Sequence, residues 1–135
     1  VRLAPTAPTA AQPYVVSLTP IADTFLDQAN PTTNYGIQSG VKVSIVSSAG
    51  AVALLHFNLG AALPPTAQIV SATLSVHAYV ARTPEDLEAD PFFIEPWAIT
   101  SAWDETAVIF NTAPWTSQRG DSAVGVGTTG WKQIR

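Results

Sequence analysis

Between Gln68 and Val80 the chain alternates apolar and polar residues without a break. Val70, Ala72, Leu74, Val76, Ala78 and Val80 fall on one side; Ser71, Thr73, Ser75, His77 and Tyr79 fall on the other. A period of two predicts a β-strand with one face on a core and one in water. A helix would scatter the same residues around its circumference. Shorter stretches repeat the pattern: Tyr14 to Leu18, ended by Pro20; Asp23 to Asp27; and Val41, Val43 and Ile45 alternating with Lys42 and Ser44. After Gly50, Val52 to Leu59 predicts a strand with Ala53, Leu55, Phe57 and Leu59 on one face and His56 and Asn58 on the other. Phe92 to Ile99 resumes β character, and Pro96 confines it to an edge or a bulge. Val108 to Phe110, Val124 to Val126 and Trp131 to Ile134 complete the set, and Ser101 to Thr106 has room for one helical turn. Turn residues separate these strands at Asn30 to Gly36, Pro64-Pro65 and Asn111 to Pro114. Many short strands and no convincing helix predict an all-β fold, an antiparallel β-sandwich of jelly-roll type with an extended N-terminal arm.

That arm is Val1 to Pro13, where Pro5, Pro8 and Pro13 remove backbone donors and favour extended conformations. Residues 14–135 form the domain. Arg82 to Pro91 is an acidic loop whose Glu85, Asp86, Glu88 and Asp90 read as solubilising. At 135 residues there is room for one domain with a core, and 47% hydrophobic against 12% charged residues argues for folded chain. A net charge of -4 argues against nucleic acid as a partner. No apolar run approaches the roughly 20 residues that cross a bilayer. Without cysteine there is no disulfide, thiolate metal site or cysteine nucleophile. The chain opens on Val and is rich in Thr, Ser, Ala and Pro, which suits an extracellular or cell-surface protein after signal-peptide removal.

Three segments in register carry a family likeness. The first runs from Ile21 through Asp23, Phe25, Asp27, Asn30-Pro31 and Asn34-Tyr35 to Gly36. The second is Ala53 to Leu59, with Leu63-Pro64 and Ile69 to Leu74 behind it. The third is Ile99 through Trp103-Asp104-Glu105 to Val108, followed by Asn111 and Pro114. Over about Val15 to Arg135 the chain resembles the DNRLRE (disaggregatase-related repeat) family of extracellular β-sandwich modules. The resemblance implies a carbohydrate-binding-module-like sandwich. Two departures accompany it: Phe110 stands where family members carry tryptophan, and members continue past the segment matching Gly130 to Ile134 with strands that close the sandwich. The domain is therefore expected to lack its last strands.

Candidate chemistry is sparse. His56 and His77 fall on outward strand faces with no shared ligand motif. Asp104 and Glu105 are adjacent, so on extended chain they diverge, whereas glycoside cleavage needs two carboxylates converging on one bond. Catalytic residues are not expected, nor is an organic cofactor. Calcium is the candidate metal: Asp23, Asp27 and Asn30 place oxygen ligands in one looped region, with turn formation as their alternative role. Flat rings suit sugar faces, and Trp97, Trp103, Trp115 and Trp131 with Tyr35 and Tyr79 supply them, unless they serve the core. Trp115, in a loop beside Pro114, leads the ligand-binding candidates, with Trp103 and Tyr35 beside it.

Two functions follow. The first is a non-enzymatic extracellular structural module, a self-assembling subunit of a filament or layer. Its N-terminal arm would pair with an open sheet edge of another chain, using Tyr14, Val16, Leu18, Trp131 and Ile134 between subunits. The alternative is a polysaccharide-binding module of a larger secreted protein. The extended arm and the unclosed sandwich favour the first.

Overall fold

A computed structural model describes residues 12–44, 50–79, 93–114, 116–119, 124–125 and 130–134. The arm up to residue 11, the acidic loop of residues 82–91, Trp115 and Val126 lie outside the described residues. Among the described residues there are eight strands: β1 (Ala22–Asp27), β2 (Ala51–His56), β3 (Leu74–Ala78), β4 (Phe93–Ile94), β5 (Trp97–Ile99), β6 (Thr116–Arg119), β7 (Val124–Gly125) and β8 (Gly130–Ile134). A four-residue helix, α1 (Leu59–Ala62), follows β2. The fold is all-β, and every pairing among the described residues is antiparallel. Among the described residues the strands are grouped as four two-stranded ladders, β1–β2, β3–β8, β4–β7 and β5–β6.

The β1–β2 ladder organises the core. Its register runs from Ala22↔His56 to Asp27↔Ala51, so Thr24 lies opposite Leu54 and Leu26 opposite Val52. Residues directly opposite in an antiparallel pair share a face. On that face Leu26 and Leu54 are buried together with Val108, and Ile99, Trp103 and Phe110 pack over them. The other face carries Phe25, whose ring stacks on Tyr35 at 4.2 Å between centroids. The ladder is thus covered on both sides. Thr24 is fully buried on the core face, and its hydroxyl has no hydrogen-bond partner among the described residues.

The phase of β2 differs from the sequence expectation. Leu54, not Leu55, is the buried leucine, and Leu55 is half-buried. Both neighbours are apolar, so alternation alone could be read either way; the register with Thr24 decides it. The long strand is shorter than its alternation predicts. Residues 67–73 belong to no strand among the described residues, and Val70 is 89% exposed. Alternation makes a segment fit to be a strand, but a ladder needs a partner's N–H and C=O groups. Here β8 supplies them only from Leu74↔Ile134 to Ala78↔Gly130. Within that span the alternation holds: Leu74, Val76 and Ala78 are half-buried, Ser75 and His77 exposed.

Other expected strands are replaced by turns. Tyr14 to Leu18 forms no strand, and Tyr14, Val15 and Val16 are exposed. Of Val41 to Ile45, only Ser44 makes a bridge, to Ala51, while Ile45 is outside the described residues. Val108-Ile109 leads into a 3₁₀ turn at Phe110–Thr112, because the Thr112 hydroxyl accepts the Ile109 N–H at 3.2 Å and offers that backbone a local partner. At the predicted strand end, Asn58 caps α1 instead, its Oδ1 accepting the Ala61 N–H at 3.1 Å. Strand β6 was not foreseen in its polar sequence; it pairs with β5 across a bulge between Ala98 and Ile99. Pro96 separates β4 from β5, in keeping with an edge or bulge position.

Candidate functional site

Two segments of the likeness meet at one junction. The Asn34 side-chain amide donates to the Glu105 and Val108 carbonyls at 2.8 Å each, and its Oδ1 accepts the Gly36 N–H at 3.1 Å. The Glu105 carboxylate reaches the start of β1 and accepts the Asp23 N–H at 2.8 Å. The Asn111 N–H closes the same region on the Pro31 carbonyl at 3.1 Å. Beside it, Asp104 Oδ1 accepts the Thr106 N–H at 2.8 Å and the Thr106 hydroxyl at 2.7 Å, and the Ala107 and Val108 N–H groups close the single turn on the Asp104 carbonyl. The Thr106 hydroxyl, with the Thr106 amide, holds the Asp104 carboxyl below the usual carboxylate range. Asp104 and Glu105 therefore serve different partners and do not converge.

That junction positions Trp103. The indole packs against the Leu26–Leu54–Val108 cluster, and its ring lies 6.2 Å from the His56 ring at a tilt of 54°. The exposed end of β2, β5 and the loop after it enclose a cleft of ≈ 440 Å³, lined by Leu55, His56, Trp97, Ile99, Ser101 and Trp103, with Ala98 and Ala102. Trp97 is 49% exposed. The volume lies within the range of small-ligand clefts, about 300–1,000 Å³. Such a cleft offers one accessible indole, an imidazole and a wall of apolar side chains.

Residues 14–134 match the family model described as carbohydrate-binding module family 96. The chain belongs to that family. Neither curated proteins nor solved structures gave a match. Of what the resemblance to disaggregatase-related repeats implied, the carbohydrate-binding-module class is the part that the match supports. For this family 96 module the match favours the polysaccharide alternative over the filament subunit.

The expected site residues of the family 96 module fall in several places. Trp103 lines the cleft, half-buried. Tyr35 is half-buried against Phe25, away from the cleft lining, and Trp115 is outside the described residues. Missed were His56, read only as a solvated strand residue, and Trp97, not preferred among the four tryptophans. Of the inter-subunit candidates, Tyr14 and Val16 are exposed and Leu18 is half-buried, none of them in a strand. Trp131 is exposed and Ile134 buried, both in β8, which finds its partner β3 within the same chain.

Of the calcium candidates, Asp27 and Asn30 take part in a turn, and Asp23 lies in β1. Asp27 is buried; one oxygen accepts the Ala29 N–H at 2.9 Å and the other pairs with the Lys42 ammonium at 3.2 Å. Asn30 closes the turn through its N–H to the Asp27 carbonyl, and Asp23 uses its own N–H on Glu105. Among the described residues no group of three or more His, Asp or Glu is placed to hold a metal ion. The Ala29 amide, then the Lys42 ammonium and the Asn30 amide, hold the Asp27 carboxyl below its ordinary range. A carboxyl lowered in this way stabilises the fold above its unfolded pKa of about 3.9, and the contribution disappears as pH falls through the folded value. Melting temperatures scanned downward from about pH 7 should therefore fall more steeply for the native chain than for Asp27→Asn below about pH 4. Parallel curves would show that the Asp27 contacts do not stabilise the fold.

Proposed function

We propose that this family 96 module is a non-catalytic, extracellular polysaccharide-binding module whose cleft grips a glycan segment between Trp97 and His56. The half-exposed Trp97 indole in the ≈ 440 Å³ cleft is the observation that carries this reading. Sugar rings present axial C–H groups on their faces and hydroxyls at their rims. An indole face takes the former, and the His56 ring nitrogens, which can donate and accept, take the latter. Trp103 forms the rigid back of the cleft because its other side is fixed on the core. Among the described residues no helix is long and apolar enough to cross a membrane.

Affinity electrophoresis through gels holding neutral and acidic soluble polysaccharides tests this. At least one should retard the protein, and Trp97→Ala should weaken that retardation about tenfold or more while the thermal melt is unchanged. A panel in which no polysaccharide retards the native chain overturns the cleft as the binding site.

A further inference from the structure

We propose that the outer face of the β3–β8 ladder is a second glycan-binding surface, one that takes the flat face of an uncharged polysaccharide. The proposal rests on the polysaccharide-binding reading above but uses none of the cleft residues. In the ladder His77 lies directly opposite Trp131 and Ser75 opposite Gln133, so these four side chains share one face. All four are exposed, and Trp131 is 71% exposed although it lies within a paired strand. Tyr79, one residue past the end of β3, continues the outward series and is 65% exposed. An exposed tryptophan and tyrosine on neighbouring strands occupy diagonal positions, whose backbones lie about 7–8 Å apart. An extended glycan crossing this face can meet both rings.

Two contacts hold these rings in place. The His77 imidazole meets the Trp131 indole edge to face, with centroids 5.2 Å apart at 69°. This contact leaves the indole standing on the ladder with a free side. The Tyr79 hydroxyl lies against the backbone of Gly40, where an added Cβ would collide with it. A ring braced at its tip loses less freedom on binding than one that swings freely.

Charge selects the ligand class. Ser75, His77, Tyr79, Trp131 and Gln133 include no Asp, Glu, Lys or Arg, in a chain of net charge -4. Lys132 alternates to the opposite side of β8. A face of rings, hydroxyl and amide groups without formal charge complements a neutral polyol, and offers an acidic polymer no counter-charge. The cleft can enclose a single chain segment, whereas this face is open and suits chains packed side by side in a solid.

The probes are microcrystalline cellulose and crystalline chitin, used in depletion assays with the whole chain. The native protein should bind at least one of these solids, with little change between low and high salt. Trp131→Ala and Tyr79→Ala should each lower the partition onto that solid about tenfold. Both variants should keep the native melt and the native retardation in soluble-polysaccharide gels. Trp97→Ala should do the reverse. Failure of the native chain to bind either solid overturns the second surface, and so does equal binding by both platform variants. Loss of all binding in Trp97→Ala alone would leave one site, the cleft. If Trp131→Ala instead changes the mass of the native protein in sedimentation and leaves solid binding intact, the face docks a second copy of the chain and the proposal is wrong. Retardation by soluble polysaccharide without binding to solids removes this surface and spares the cleft. Absence of both removes the polysaccharide-binding reading itself.

Discussion

Leu54→Ala is expected to destabilise the fold by about 2–5 kcal/mol, the range for emptying a leucine-sized volume in a packed core. Leu55→Ala, one residue on, should cost only about 1 kcal/mol, since its half-buried side chain loses a fraction of the transfer free energy of a fully buried one. Leu54 is 4% exposed and meets Leu26 and Val108, with Ile99, Trp103 and Phe110 covering the cluster. Truncating it leaves a void in the cluster on which the Trp103 indole packs. Leu55 points to the other side of the ladder and ends in the cleft lining. Urea unfolding at constant slope separates the two variants by their midpoints. A larger loss for Leu55→Ala would reverse the phase of β2 and move His56 away from Trp103.

This pair marks how far the fold was legible in the sequence. The all-β class and the antiparallel habit follow from alternation and turn residues, and both are present. So are the Asp23 to Asp27 strand, the break at Pro96 and the short strand at Trp131. Alternation was less informative in Ala53-Leu54-Leu55, where consecutive apolar residues make both phases plausible and only the Thr24↔Leu54 register settles which leucine is inside. It was also insufficient at Val70, because alternation without a partner strand among the described residues leaves that side chain exposed. Thr116–Arg119 is the opposite case. Its polar residues show no strand signal, and the backbone pairing to β5 makes it one.

The candidate site was legible in its chemistry and not in its position. Aromatic rings stand out in the sequence as a residue class, but Trp97 and His56 are distant in sequence, lie in different ladders, and reach one cleft in a way that no local pattern encodes. The residues that carry the family likeness have a different use. Asn34, Gly36, Asp104 and Glu105 are committed to hydrogen bonds within the chain or to close backbone approach. Their spacing records how the Asn30 to Gly36 loop is fastened to the turn that bears Trp103. The motif therefore reports on how the turn that bears Trp103 is held beside the cleft.

Gly36→Ala tests that division directly. The backbone at Gly36 has no positive φ, so the requirement for glycine there is one of space, not of conformation. A Cβ built on it would run into the Glu105 backbone carbonyl and the Glu105 Cγ. A backbone carbonyl cannot rotate aside as the end of a long side chain can, so the Asn34 to Gly36 loop must withdraw. Withdrawal stretches the Asn34 amide bonds to the Glu105 and Val108 carbonyls, both 2.8 Å in the native chain. Overpacking alone costs about 1–3 kcal/mol, and weakening the amide bonds adds about 1 kcal/mol or more for each. The expected loss is about 3 kcal/mol or more. Asn34→Ala, which deletes the same amide, should cost about 2–3 kcal/mol. The double variant should lose clearly less than the sum of the two, because both open one junction. Chemical denaturation of the four proteins in the cycle measures this coupling. A Gly36→Ala protein as stable as the native one, or strictly additive losses, would show that the loop and the Trp103 turn are not fastened to each other at this point, and the cleft would then lack the support argued for it.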